Sequence, residues 1–195
     1  LRPAPGKRTS CWPRAPLMLS FAMLDPLSVG EINFPSLLKT ATEAATQAGM
    51  LLSRYARDGF QITHKSLIDL VTEADHAAEQ CVIDVILTSF PNHRILAEER
   101  GEIDQSPSLY RWIIDPLDGT TNFAHGFPTY CVSIGLEYKG VCVLGVVYDP
   151  TRDELFSATR GGGARVNDRA IHVSRTPDRK STRLNSSHMS ESRMP

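Results

Sequence analysis

No apolar run in this chain of 195 residues approaches the roughly 20 that a bilayer-spanning helix needs, which excludes a helical membrane protein. The four cysteines, Cys11, Cys81, Cys131 and Cys142, have neither CxxC spacing nor the density of a disulfide framework. Reduced thiols in a cytoplasmic protein are therefore expected. No internal repeat is evident. Acid is missing from residues 1–23, which hold Arg2, Lys7, Arg8 and Arg14, while residues 178–195 set four basic residues against Asp178 and Glu191. Removing the +4 and +2 of these ends from the overall charge of −1 leaves −7 for the body between them. An acidic body argues against nucleic acid as a partner and is compatible with cation binding. What is present is ordinary, 41% hydrophobic and 22% charged residues, enough for one good core or two small domains.

The ends differ from the middle in kind. Residues 1–23, rich in Arg, Pro and Ser, can be read as a transit peptide, but Met18 or Met23 is a natural start and no role in the fold is expected of them. Residues 178–195 break the hydrophobic alternation and read as a disordered polar tail. Residues 178–188 also back-translate without a mismatch to a common short-read library adapter, so genuine sequence is expected to stop near Pro177. The folded part is thus expected over 24–177.

Within it, Pro35 opens a helix with Leu37, Leu38, Ala41, Ala44, Ala45, Ala48, Leu51, Leu52 and Tyr55 on one stripe, closed by Gly59. A short strand is expected near Phe60 to Thr63. A second helix, from about Thr72 to Phe90, has Ala77, Ala78, Cys81, Val82, Val85 and Ile86 as its apolar stripe, with Thr72 as N-cap and Asp75 in the favourable first turn. The segment RILAEER predicts a strand delivering Glu98 and Glu99, and YRWIID one ending at Asp115. From Tyr130 the period becomes two. Val132, Ile134 and Leu136 alternate, Lys139 and Gly140 turn the chain, and VCVLGVVYDP returns as the second arm of a hairpin. ELFSATR, GARVND and AIHVS supply further short strands. Two helices followed by mostly antiparallel strands predict an α/β (α+β) layered sandwich with helices packed on one sheet.

The chemistry concentrates in WIIDPLDGTTNF, residues 112–123. Pro116, Gly119 and Asn122 rule out a continuous helix, so a loop must aim the carboxylates of Asp115 and Asp118 and the Leu117 carbonyl at one point. Hard oxygen donors converging in this way suit Mg2+, which keeps water and substrate phosphate in its shell. Residues 119–122 would offer backbone N–H groups to a phosphate at the start of a short helix. An EF-hand is disfavoured, since its twelfth position falls on Gly126. A phosphatase with an aspartyl nucleophile would show DxDGT, and here one residue too many separates the acids. The plainest alternative is a surface β-turn. Glu98 is a ligand candidate by its place at a strand end, Asp75 fits a helix entry, and Lys65 a solvated or phosphate-facing cation. His64 and His125 lack metal-ligand spacing, and RGGGAR lacks the P-loop pattern.

Taken together, DLVTEAD at 69–75, LAEER at 96–100, WIIDPLDGTTNFAHGFP at 112–128, GVVYDP at 145–150 and GGGARVNDRAIHVS at 161–174 resemble the inositol monophosphatase family over roughly residues 34–177. The resemblance implies a sugar-phosphatase-like fold. It implies that Glu98, Asp115, Leu117 through its carbonyl, and Asp118 bind Mg2+, and that Glu98 and Thr120 position the attacking water with support from Asp75. Glu98, Leu117, Asp118, Gly119 and Thr120 would line the substrate site, and Lys65 matches a family lysine. The implied reaction is hydrolysis of a small phosphorylated polyol or sugar such as inositol monophosphate, by water activated at two or three Mg2+ ions without a phosphoenzyme. A histidinol-phosphatase, a bisphosphate-nucleotidase-like member, and an inactive binding or regulatory protein are the alternatives. Dimers are common in the family, so a homodimer is compatible.

The departures are Ala97 for a usual glycine, Arg100 for a usual serine, and the lack of a WDxAAG-like element. The chain is therefore expected to correspond to the N-terminal part of such a phosphatase, with a partial metal site.

Overall fold

The computed structural model describes residues 32–60, 62–64, 70–103 and 107–174. Two compact units are distinguished, Leu1–Asn33 and Phe34–Pro195, and the architecture below is that of the second. The expected leader at 1–23, tail at 178–195 and Lys65 lie outside the described residues.

The elements run α1 (Phe34–Asp58), β1 (Ile62–His64), β2 (Leu70–Thr72), α2 (Glu73–Ser89), β3 (Arg94–Ala97), β4 (Gly101–Glu102), β5 (Tyr110–Asp118), α3 (Thr120–Ala124), β6 (Cys131–Tyr138), β7 (Val141–Asp149), β8 (Glu154–Thr159), β9 (Gly163–Val166) and β10 (Arg169–Ile171). The strands β1 and β2 form a small antiparallel ribbon. The other eight make one sheet in the order β10-β9-β8-β7-β6-β5-β3-β4, antiparallel throughout except for the parallel pair β3–β5. The α+β layered class read from the sequence is the class observed.

Helix α1 forms where the alanine-rich stripe demands it. Its buried face is Leu37, Thr40, Ala41, Ala44, Ala45, Ala48, Gly49 and Leu52, whereas Leu38, Leu51 and Tyr55 are only half-buried. Small residues let it lie close to the sheet: a Cβ on Gly49 would come within 2.5 Å of the Tyr148 ring in β7. Helices α1 and α2 pack on each other and on the same sheet face, α1 across β6 to β8 and α2 on β5. That face supplies Trp112, Ile114, Val132, Ile134, Leu136, Leu144 and Val146 to the core. Burying large side chains of this kind contributes roughly 1.5–3 kcal/mol each, which is what holds the helical layer down.

The hairpin is as expected. Lys139 and Gly140 both have positive φ, 53° and 75°, the pairing of a tight primed turn between β6 and β7. Asn167 and Asp168, at φ 44° and 64°, repeat it between β9 and β10.

Three readings need correction. The buried stripe of α2 is Ala74, Asp75, Ala78, Glu79, Val82, Ile83 and Ile86, rotated from the expected one, so Ala77, Cys81 and Val85 are half-exposed. The helix is apolar on more than one side, and the rotation brings its two inward acids, Asp75 and Glu79, under the strand ends. Next, β5 does not end at Asp115. It continues through Pro116 to pair Asp118 with Cys131, with a bulge between Asp115 and Asp118. Proline is tolerated there because β3 has already stopped at Ala97 opposite Ile114, so no ladder partner on that side needs its missing N–H. Finally, the short strands β2 and β4 were not foreseen, and β1 lies slightly later than expected, at Ile62–His64.

Candidate active site

The only parallel pair among the described strands places two acids together. Ala97 pairs with Ile114, and the Glu98 N–H extends the ladder by donating to the Ile114 carbonyl at 3.1 Å. Glu98 and Asp115 thus leave neighbouring strand ends side by side. Burial pushes the Asp115 carboxyl above its ordinary range. The Glu98 and Leu117 hydrogen bonds oppose this, and the charges of Asp118 and Asp75 add to it. Its Oδ1 is buried and has no hydrogen-bond partner.

The bulge after Asp115 turns Leu117 into the core and Asp118 out to solvent. Gly119 then caps α3 in the left-handed region, φ 96°, and no side chain caps the helix start. Only glycine fits, because a Cβ would stand 2.9 Å from the Thr129 carbonyl oxygen as well as paying for the positive φ. Thr120 opens α3. Its hydroxyl lies 3.1 Å from Asp75 Oδ1 and 3.0 Å from the Leu117 carbonyl, and its single proton serves one of them at a time.

Asp75 is held from the other side. Its Oδ2 accepts the Thr72 N–H at 2.7 Å and the Thr72 hydroxyl at 2.6 Å, while Thr72 Oγ1 accepts the Ala74 and Asp75 N–H groups. This is the capping box of α2, with Thr72 the N-cap. Asp75 is therefore both a helix cap and the bridge to Thr120. The helix entry expected of it is real, and its remaining oxygen faces the loop.

The structure brings Asp75, Glu98, Asp115, Leu117, Asp118, Gly119 and Thr120 to one place. Among the described residues no three of His, Cys, Asp and Glu stand close enough to enclose an ion as the side chains lie. The residues nonetheless fit a hard divalent cation, given an orphaned buried oxygen on Asp115, a second carboxyl against it, and acceptor-only chemistry. Glu98, Asp115, the Leu117 carbonyl and Asp118 are the atoms that would hold it. Cys131 sits beside Asp118, its sulfur 3.8 Å from Oδ2, and burial with the neighbouring carboxylates pushes its thiol up to about 11, so it stays a neutral donor. His125 is exposed and its Nδ1 meets the Thr121 carbonyl at 2.8 Å, a turn role as anticipated. Beyond α3, Phe60, Phe123, Ala124, Pro128 and Tyr130 line an apolar cleft of about 310 Å³.

The sequence reading missed Glu79. This side chain is 0% exposed, and its Oε2 accepts the Glu99 N–H at 2.8 Å while Oε1 lies 3.1 Å from Nε of Arg100. The signal was available: Asp75 and Glu79 are one helical turn apart, so they share a face.

Comparison with known proteins places the chain in a family. The model of the inositol monophosphatase family matches residues 35–194. A Nus factor SuhB from Pasteurella multocida is 45% identical over 150 residues, covering 76% of this chain and 56% of that protein. An inositol-1-monophosphatase from Synechocystis is 48% identical over 140 residues, 71% of this chain and 49% of its own length. The solved structure of an inositol monophosphatase from Anabaena superposes with a TM-score of 0.66 at 46% identity, covering 75% of this chain and 53% of that one. The chain spans about half the length of the curated relatives it matches.

Proposed function

The chain belongs to the inositol monophosphatase family, and from that premise we propose that it serves a Mg2+-dependent phosphomonoester hydrolase acting on inositol monophosphate or a similar small polyol or sugar phosphate. The observation that carries this reading is the buried, partnerless Oδ1 of Asp115 at a strand end beside that of Glu98.

When bound, Mg2+ supplies charge neutralisation on phosphoryl oxygens and lowers the pKa of water. The rest falls to this chain's residues. Glu98, Asp115, Asp118 and the Leu117 carbonyl hold the cation. The Thr120 hydroxyl, poised between Asp75 and the Leu117 carbonyl, orients a water and is itself kept in place by the capped start of α2. The uncapped amides after Gly119 face the phosphate, and Leu117, Asp118 and Gly119 line its site with Thr120. Lys65 joins this reading as a phosphate-facing cation. A cytoplasmic protein completes it, in keeping with the free thiols of Cys81, Cys131 and Cys142 among the described residues, and a homodimer is compatible with it.

Phosphate release from inositol 1-phosphate by the full-length protein tests the proposal. Release is expected to depend on Mg2+ and to disappear in Asp118→Asn; undiminished release by that variant rules out the metal role.

A second reading has its own support. Several relatives, the Pasteurella multocida protein among them, are named Nus factors and not phosphatases, so a binding or regulatory protein that keeps the fold without turnover is the alternative. Calorimetric Mg2+ and substrate binding beside a turnover assay separates the two.

A further inference from the structure

The acid pair is only as well placed as the turn that carries Glu98, and that turn is short. Residues 98–100 join β3 to β4, which is two residues long. The turn is fixed by two successive backbone amides. The Glu98 N–H is tied to β5 through the Ile114 carbonyl at 3.1 Å, and the Glu99 N–H is tied to α2 through Glu79 Oε2 at 2.8 Å. The second tie is made by a fully buried carboxylate, which is costly unless something is gained by keeping it. Its counter-charge is Arg100, whose side chain is 44% exposed and approaches Glu79 Oε1 at 3.1 Å. Arg100 belongs to the same turn, so both contacts of Glu79 grip one three-residue segment. The helix that supplies Glu79 also supplies Asp75, one turn earlier, to Thr120.

We propose that Glu79 is a positioning residue for the cation site. It clamps the 98–100 turn to α2 so that Glu98 faces Asp115, and α2 thereby sets both halves of the site, Glu98 through Glu79 and Thr120 through Asp75. The inference rests on the cation-binding reading above and adds a residue to it. Removing the clamp frees the Glu99 amide and lets Glu98 swing, which weakens cation binding without touching a ligand. Partners of this kind behind metal ligands typically govern about 10- to 100-fold in affinity.

The test is Mg2+ binding by calorimetry to the full chain, with Glu79→Leu, Glu79→Gln and Asp118→Asn compared. Glu79→Leu is expected to raise the Mg2+ dissociation constant at least about 10-fold. Glu79→Gln keeps a carbonyl for the Glu99 N–H and is expected to stay within about 3-fold of the parent chain, a rescue that a merely space-filling role does not give. Amide exchange on the parent chain provides a second readout independent of variant folding. By reciprocity of linked equilibria, Mg2+ is expected to slow exchange of the Glu99 amide. Unchanged Mg2+ affinity in a folded Glu79→Leu chain, or Glu99 exchange indifferent to Mg2+, overturns the positioning role. Unchanged affinity in Asp118→Asn overturns the cation reading itself, so the two failures are told apart.

Discussion

Two strands of this sheet reach an Asp-Pro step, and the chain treats them in opposite ways. At the end of β7, Asp149 precedes Pro150 and is surrounded by donors. The Thr151 N–H and hydroxyl reach Oδ1 at 2.8 and 2.6 Å, the Arg152 N–H reaches it at 3.2 Å, and Arg152 Nη1 reaches Oδ2 at 2.6 Å. Burial alone would raise its pKa, but these hydrogen bonds prevail and hold it below the ordinary range. In β5, Asp115 precedes Pro116 and has an oxygen with no donor at all, with burial pushing its pKa the other way. The same dipeptide makes a finished turn in one place and leaves a buried acceptor without a partner in the other.

The contrast can be broken or sharpened by experiment. The largest effect is expected from Asp115→Asn: phosphate release by the full-length protein should fall by about 10²-fold or more, since a ligand to the activating cation is lost. The Mg2+-free chain should meanwhile be unharmed or stabilised by about 1 kcal/mol or less, given solvent screening, as read by denaturant unfolding. Asp149→Ala should do the reverse. Several charge-assisted hydrogen bonds vanish, so unfolding should show a loss of about 2–3 kcal/mol while Mg2+ affinity of the folded chain stays put. Gly119→Ala should cost about 1–3 kcal/mol, from the positive φ and the Thr129 carbonyl in its way, measured by the same unfolding curves.

The smallest effect is in pH. Asp149 has a depressed folded pKa, so its stabilisation is present above the unfolded aspartate value near 3.9 and drains away as pH falls through the folded value. Asp115 has a raised one, so its contribution is full below that same unfolded value and is lost as pH rises through the folded value. Acid titration of the Mg2+-free chain should therefore shift in opposite senses in Asp149→Asn and Asp115→Asn. Matching shifts would dissolve the comparison.

How far the sequence foretold this depends on how local the cause was. Helix α1, the hairpin at Lys139–Gly140 and the strands before Glu98 and Asp115 follow from periodicity and turn chemistry within a few residues, and they were legible. The nearness of Asp115, Leu117, Asp118, Gly119 and Thr120 follows from their being consecutive in the chain, although the end of β5 and the start of α3 carry them and not the expected loop. The face of α2 was not, because apolar residues flank it on more than one side and only the packing against α1 and β5 decides which acids turn inward. For this reason Glu79 escaped notice. An acid amid alanine and valine reads as a break in the stripe until the Glu99 amide is seen opposite it. The continuation of β5 through Pro116 depends on where β3 stops, a fact held by a different segment of chain.

The parallel register of β3 on β5 also bears on the order in which the molecule forms. From β5 to β10 each strand pairs with its successor, so that region can zip up through short loops, one hairpin after another. The corner is complete only when β3 aligns with β5 over an intervening β4 and α2 settles on β5, where the Thr120–Asp75 contact spans 45 residues and is slower to close. The acidic corner thus waits on a contact of longer range than any strand pairing beside it.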